Sequence, residues 1–192
     1  MDYDILVIGA SAGGIDALKQ IFGSFKAYEK VAIIVIQHLS PNNPSYMGSI
    51  ISELTHQQVI EIEDKTILKR GRIYLVPPNY HALVEKRGYF TLCVSEKICF
   101  ARPSIDVTFE SVADAFGCRC IGVLLTGANQ DGGRGLSTIR SNGGYTIVQD
   151  PATAEATEMP LAGIKYANPH EVIALIDIGK RLNDIIRHGV KK

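Results

Sequence analysis

One stretch decides how this chain folds: Val7-Ile8-Gly9-Ala10-Ser11-Ala12-Gly13-Gly14, which joins an apolar strand to an amphipathic helix. The residues leading into it, Ile5 to Ile8, form a continuous apolar run that is typical of a buried strand. Ser11 therefore lies in a sharp strand-to-helix turn rich in glycine. Beyond the turn, apolar side chains recur at helical spacing: Ile15, Ala17, Leu18, Ile21 and Phe22.

The turn by itself leaves three interpretations open: a phosphate- or nucleotide-binding loop, a serine nucleophile and a purely structural turn. Residues 9–13 match the G-x-S-x-G elbow, in which a strained turn exposes a nucleophilic serine. A helix N-terminus also attracts anions, because its N–H groups are free and the helix dipole is positive there. Ser11 occupies the middle glycine of the dinucleotide motif, and no Gly-Lys-Ser/Thr follows as in a Walker loop.

Composition restricts the class of protein. The chain has 192 residues, of which 46% are hydrophobic, so we expect one domain over residues 1–192. Twenty basic and twenty acidic residues give a formal net charge of zero, which offers no electrostatic argument for nucleic acid as a partner. No apolar run approaches the roughly 20 residues of a membrane span, and a strand begins without a preceding secretory signal. We expect a cytoplasmic protein that is not embedded in a membrane.

The cysteines carry no metal or disulfide signature. No two are spaced as C-x-x-C, and no histidine stands near them as a zinc ligand would. We expect free, buried thiols in a reducing compartment. The four are Cys93, Cys99, Cys118 and Cys120.

Strands and helices alternate along the chain, which predicts a doubly wound, mainly parallel sheet with helices on both faces. Between residues 67 and 100, short strands and turn signals predict a small antiparallel hairpin excursion. The predicted strands are 4–9, 31–37, 58–63, 73–76, 81–84, 89–94, 121–126 and 145–149, and the predicted helices are 14–24, 45–56, 104–116, 134–141 and 170–188.

Three chemically active side chains follow predicted strands. Ser11 comes after the first strand, His38 after the second, and Asp131 in the glycine-rich loop after strand 121–126. The carboxyl ends of parallel strands meet at one edge of a sheet, where ligands bind. A serine, a histidine and an aspartate gathered there are the parts of an activated nucleophile.

Each of these residues also has a structural interpretation. His38 alone is compatible with a locally hydrogen-bonded loop histidine, and Asp131 alone with a helix N-cap. Asp106 follows a helix start and favours the helix dipole, while Asp150 lies past another strand and is the reserve candidate for the acid. The second strand ends in His38 rather than in the acid that binds a ribose, which disfavours a dinucleotide site.

Taken together, these motifs resemble the catalytic domain of the bacterial chemotaxis methylesterase family CheB. The resemblance rests on residues 7–14, on Gln37-His38 and on Leu-Leu-Thr-Gly followed by Gln-Asp-Gly-Gly in 124–133. Further matching stretches are Gly71-Arg72-Ile73-Tyr74 with Pro77 and His81, Arg102-Pro103-Ser104-Ile105-Asp106, and 143–150 with Glu158-Met159-Pro160.

The resemblance implies a serine hydrolase that demethylates glutamate methyl esters in the cytoplasmic region of chemoreceptors, and in some members deamidates glutamine. It implies Ser11 as nucleophile, His38 as general base and Asp131 as orienting acid, without metal or organic cofactor. The backbone N–H groups of Ala12 and Ala128 are the candidates for the oxyanion hole. The family usually has threonine and methionine at these two positions, so activity and substrate preference are open.

The usual family member also carries a receiver domain before this domain, and here the chain begins at the first strand. We expect either a stand-alone enzyme, regulated in trans by a response regulator or not regulated, or a piece of a longer protein. Two other functions stay open: a catalytically weakened binding or signalling module, and a nucleotide- or phosphate-binding domain.

Overall fold

A parallel seven-stranded sheet lies at the centre of the computed structural model, which describes residues 3–39 and 46–189. Its strands are β1 (Ile5–Ala10), β2 (Ala32–Gln37), β3 (Val59–Glu61), β4 (Ile73–Leu75), β7 (Cys120–Leu124), β8 (Tyr145–Gln149) and β9 (Glu171–Ile173). Their order is β3-β4-β2-β1-β7-β8-β9, and every neighbouring pair is parallel. The predicted doubly wound parallel sheet is confirmed, and the weakly apolar β3 lies at an edge.

Helices cover both faces of this sheet. They are α1 (Gly14–Ser24), α2 (Met47–Thr55), α3 (Ile105–Phe116), α4 (Gly133–Ser141), α5 (Glu158–Ala167) and α6 (Leu175–His188). Leu6 and Ile8 of β1 face the core under α1, α2 and α6, whereas Ile5 and Val7 face the core under α3, α4 and α5. Because alternate residues of a strand point to opposite faces, a strand covered on both sides must be apolar throughout. Within the described ranges, no helix has the length and apolar character needed to cross a bilayer.

The predicted hairpin excursion is also confirmed. Strands β5 (His81–Val84) and β6 (Phe90–Cys93) form a separate antiparallel pair. The pair is held on α3 by side-chain hydrogen bonds, from Thr108 to the Ala82 carbonyl (2.9 Å) and from the Val84 N–H to Ser111 (3.0 Å). The hairpin thereby fixes the loop 94–104 that leads back into α3.

The predicted helix over 170–188 is wrong in its first five residues. Glu171–Ile173 is strand β9, paired with β8, and Ala174 is extended (φ −60°, ψ 142°), so α6 begins at Leu175. Helix α5 was not predicted, and it contains Pro160 in its first turn. Proline fits in a first helical turn, where backbone N–H groups have no partner within the helix. The predicted start of α2 at Ser45 lies outside the described residues.

The expectation of four buried thiols is wrong for three of them. All four cysteines are free, but only Cys120 is buried, while Cys99 and Cys118 are exposed and Cys93 is half-buried. Cys120 is covered because it opens β7, next to β1 at the centre of the sheet. The others lie in or beside loops.

The order of the strands creates a crevice at the carboxyl ends of β1 and β7. From β1 the chain builds the sheet to one side through β2, β4 and β3, and then returns to build the other side through β7, β8 and β9. Ligand sites of doubly wound sheets lie at such a reversal. Ser11 follows β1 and Asp131 follows β7, on either side of it.

Candidate active site

The Ser11 backbone is held on three sides. Its N–H donates to the Thr126 carbonyl at 2.9 Å, which ties the end of β1 to the end of β7. Its carbonyl accepts from the Gly14 N–H (2.9 Å) and from the Gln37 side-chain amide (2.7 Å). Gly13 has φ +73°, a conformation that L side chains rarely adopt, and a Cβ there would lie 2.7 Å from Glu155. The turn therefore fixes the backbone position from which the serine hydroxyl projects.

His38 bridges the serine and the aspartate. Its Nδ1 lies 3.2 Å from Ser11 Oγ, and its Nε2 lies 2.9 Å from Asp131 Oδ2. A carboxylate only accepts hydrogen bonds, so Nε2 carries the proton in the neutral ring and Nδ1 presents a lone pair to the hydroxyl. The imidazole is thus held in the tautomer that can remove a proton from Ser11.

Asp131 is completely buried and caps the N-terminus of α3. Its carboxylate accepts from the backbone N–H groups of Ile105 (2.7 Å) and Asp106 (3.1 Å), and from Ser104 Oγ (2.9 Å). Burial alone raises the pKa of the Asp131 carboxyl, but the hydrogen bonds from His38 and from the two backbone N–H groups outweigh it. They hold that pKa below its usual value, so the group is a carboxylate at neutral pH.

Ser104 supports the aspartate and was missed in the sequence analysis. It is the N-cap of α3, accepting from the Val107 N–H at 3.4 Å while donating to Asp131. A serine before an apolar helix is a recognisable cap signal. Nothing in the sequence, however, shows that a distant carboxylate shares the same helix end.

Asp106 ties α3 back to α4. Its carboxylate accepts from the Gly135 N–H at 2.7 Å, in the first turn of α4. Burial raises the pKa of Asp106 to about 6, and the nearby negative charge of Asp131 adds to the increase. The sequence predicts only that Asp106 interacts with the dipole of its own helix, whereas the structure also shows a hydrogen bond from α4 to its carboxylate.

The reserve acid takes no part in this cluster. Asp150 caps the short helical turn that follows β8, where its side chain accepts from the Ala152 N–H at 2.9 Å. No hydrogen bond joins Asp150 to His38, so the structure gives Asp131 rather than Asp150 the contact with the histidine.

The two oxyanion candidates, Ala12 and Ala128, are both exposed. In the described part of the chain, neither the Ala12 nor the Ala128 backbone N–H has a hydrogen-bond partner. Their loops are joined through Thr126, whose hydroxyl donates to the Ala12 carbonyl at 2.9 Å. Gly127 packs so closely that a Cβ would lie 2.9 Å from the Ser11 Cβ.

An open pocket of about 400 Å³ adjoins Ser11 and His38. Its charged lining residues are Lys97 and Arg102, so the cavity has a positive character. Among residues 3–39 and 46–189, no cluster of three or more histidine, cysteine or carboxylate side chains could hold a metal ion. The arrangement suits nucleophilic attack on a carbonyl group by an activated serine.

Comparisons with known proteins agree with this geometry. The family model CheB methylesterase matches residues 6–182. A Leptospira interrogans protein, provisionally named protein-glutamate methylesterase/protein-glutamine glutaminase, is 40% identical over 180 residues, covering 94% of this chain and 93% of that protein. The Myxococcus xanthus protein-glutamate methylesterase FrzG is 35% identical over 94% of this chain, and the match spans 54% of FrzG. The crystal structure of the Thermotoga maritima CheB methylesterase catalytic domain superposes with a TM-score of 0.90 at 28% identity, covering 96% and 100% of the two chains.

Proposed function

The chain belongs to the CheB methylesterase family, and from this premise we propose that it hydrolyses glutamate γ-methyl esters of chemoreceptors through Ser11, His38 and Asp131. The observation that carries the proposal is the continuous hydrogen-bonded path from Ser11 Oγ through the His38 ring to the buried Asp131 carboxylate. Such a path activates a hydroxyl that is otherwise a weak nucleophile.

In the first step, Ser11 Oγ attacks the ester carbonyl carbon while His38 Nδ1 takes the hydroxyl proton. The imidazolium that forms faces Asp131, whose negative charge stabilises it. The developing oxyanion accepts hydrogen bonds from the free N–H groups of Ala12 and Ala128. Each such donor is worth roughly 10²–10³ in rate in enzymes of this kind.

The ester bond then breaks, and the methoxide leaves as methanol with the proton from His38. A water molecule, deprotonated by His38, attacks the glutamyl-serine ester; the acyl–Oγ bond breaks, His38 returns the proton to Ser11 Oγ, and glutamate is released. Glutamine follows the same path with ammonia as the leaving group, which accounts for deamidation. Since a backbone donor needs no side chain, Ala12 and Ala128 are compatible with both reactions.

The experiment uses a peptide that contains one glutamate γ-methyl ester, with methanol release as the readout. We expect turnover by the wild type, no detectable turnover by Ser11→Ala, and covalent labelling of Ser11 by a fluorophosphonate. Asp150→Asn is the matched control, because it removes a carboxylate that also follows a strand of the sheet but does not contact His38. A wild-type protein that neither turns over the peptide nor reacts with the probe would point to the binding module instead.

We also propose a cytoplasmic location and a response regulator that acts in trans, both on the basis of the family resemblance. Pull-down of a phosphorylated receiver domain from the same cell, with the unphosphorylated form as control, tests the regulatory partner.

A further inference from the structure

One wall of the Ser11 pocket is the segment Val94–Ala101, here called the arm. It contributes Lys97, Cys99, Phe100 and Ala101 to the pocket lining. The Phe100 side chain is 98% exposed, more than any other large apolar residue in the described ranges. Cys99 and Phe100 both have positive φ, at 48° and 62°, which is unfavourable for residues other than glycine. The fold thus holds an aromatic ring in solvent beside the serine.

The arm is fixed to the same buried groups that hold Asp131. His81 is completely buried, and its Nε2 donates to the Glu96 carbonyl at 3.0 Å. Its Nδ1 accepts from the Ser104 N–H at 3.0 Å, and Ser104 in turn donates to Asp131. Arg102 Nη1 donates to the carbonyls of Val94 (2.8 Å) and Ser95 (2.9 Å). The arm is therefore held in place before substrate binds, which lowers the entropic cost of binding.

The charge of the pocket indicates what would bind there. Arg102 is half-buried and its Nη1 is held by the carbonyls of the arm, whereas Lys97 is exposed, so Lys97 is the more accessible of the two cations for a ligand. Lys97 forms no ion pair with any residue of 3–39 or 46–189. An exposed ring and an unpaired ammonium group that line the same pocket complement a polypeptide that carries apolar and acidic side chains near each other.

We propose that the arm is the docking surface for the polypeptide substrate, a segment with an acidic residue and an apolar residue beside the esterified glutamate. Phe100 packs on the apolar side chain, Lys97 pairs with the carboxylate, and His81 is a positioning residue that sets the arm against the serine. This inference rests on the proposed esterase function. It specifies which residues flanking the esterified glutamate the enzyme prefers.

The test compares two peptides with the same glutamate methyl ester, one flanked by glutamate and leucine and the other by lysine and leucine. We expect the wild type to prefer the acidic peptide roughly 3–5-fold in kcat/KM, the size of one exposed ion pair. Lys97→Glu should reverse the preference, and Lys180→Glu, an exposed lysine of α6, should preserve it. Phe100→Ala should raise KM roughly tenfold, as loss of an aromatic anchor does, unlike Ile67→Ala at another exposed site.

His81 is tested with two variants that each keep one of its hydrogen bonds. His81→Gln carries an amide N–H near the former Nε2 and retains the bond to Glu96, whereas His81→Asn carries an oxygen near the former Nδ1 and retains the bond from Ser104. We expect the asparagine variant to raise KM for the acidic peptide more than it lowers kcat, and the glutamine variant to do the reverse. Equal effects of both variants on kcat and KM would overturn the positioning role.

The outcomes separate this inference from the proposed function. If the wild type hydrolyses neither peptide nor the methyl ester of N-acetylglutamate, the esterase function itself fails. If the wild type hydrolyses all three, but the flanking residues and Lys97→Glu leave kcat/KM unchanged, the docking surface is wrong. Binding of a second copy of this chain through Phe100, seen as dimerisation that Phe100→Ala abolishes, would also overturn it.

Discussion

Replacing Ser104 by alanine is expected to weaken both the active site and the fold, because one hydroxyl serves both. Ser104 is completely buried, donates to Asp131 at 2.9 Å and accepts from the Val107 N–H at 3.4 Å. Loss of a serine N-cap typically costs about 1 kcal/mol, and loss of a hydrogen bond to a charged group about 1.5–3 kcal/mol. Asp131 keeps three other donors, so we expect the free energy of unfolding to fall by about 2–3 kcal/mol.

The effect on hydrolysis should be smaller than that of removing the carboxylate. His38 keeps its contact with Asp131, but Asp131 Oδ1 loses one of its two hydrogen bonds and keeps only the one from the Asp106 N–H. We expect kcat on the peptide ester to fall roughly 3–30-fold, because small displacements of an orienting group are costly. Asp131→Ala should lose far more, on the order of 10³–10⁴-fold.

The assay pairs urea unfolding with methanol release at pH 7. Ser104→Gly serves as the comparison, since glycine at an N-cap costs only a few tenths of a kcal/mol but still lacks the hydroxyl that reaches Asp131. Equal rate losses in the two variants, with a smaller stability loss for glycine, would separate the catalytic contact from the cap. Wild-type kcat in Ser104→Ala would refute the reasoning, as would a change in unfolding free energy below about 0.5 kcal/mol.

Three further predictions follow from the same region. Gly127→Ala should slow hydrolysis roughly 10–100-fold and destabilise by about 1–3 kcal/mol, because the new Cβ would lie 2.5 Å from Met159 Cε and 2.9 Å from Ser11 Cβ. Gly23→Ala is the control, since a Cβ there meets nothing within 4 Å, and it should stabilise by about 0.5–1 kcal/mol. Equal rates of hydrolysis in the two variants would contradict this prediction. Burial raises the pKa of Asp106 from 3.8 to about 6, so this carboxyl loses its proton at lower pH in the unfolded state than in the folded state. The free energy of unfolding should therefore fall by roughly 3 kcal/mol as pH rises between these two pKa values. Asp106→Asn should remove this fall, measured by urea unfolding between pH 4 and 7. If the free energy of unfolding of the variant still falls with pH as in the wild type, Asp106 is not its cause. The pKa of Asp131 is lowered, so its effect on stability has the opposite dependence on pH. The stabilisation is present above the ordinary carboxyl pKa of ~3.9 and is lost as pH falls below it. The difference in unfolding free energy between wild type and Asp131→Ala should therefore become smaller in acid; a constant difference would contradict this.

The sequence was sufficient for the sheet and for the meeting of Ser11, His38 and Asp131. Long apolar runs identify buried strands, and the carboxyl ends of parallel strands must lie together, so residues just past them converge. The positions of the strand ends predict which residues lie close together. They do not predict the hydrogen bonds between the side chains.

The supporting residues were beyond that reasoning. Ser104 and His81 act through hydrogen bonds to groups distant in sequence, and no periodicity connects a capping serine in one loop with an aspartate in another. β9 was missed for a different reason: Val172 and Ile173 are followed by an amphipathic helix, and three residues are too few to distinguish a strand period from a helical one. The pairing of this short strand with β8 settles its conformation, which is a tertiary effect.

The contacts of Asp131 also have a consequence for how the protein is made. Ser11 and His38 are 27 positions apart, but His38 and Asp131 are 93 apart, so the histidine and the hydroxyl emerge from the ribosome long before the carboxylate. Nascent domains form from the N-terminal side as synthesis proceeds. A growing chain should therefore carry an unreactive serine until Asp131 has left the ribosome and reached His38, which can be timed by fluorophosphonate labelling of chains stalled before and after Asp131 emerges. The nascent chain would therefore not hydrolyse esters before the pocket that selects the substrate has formed.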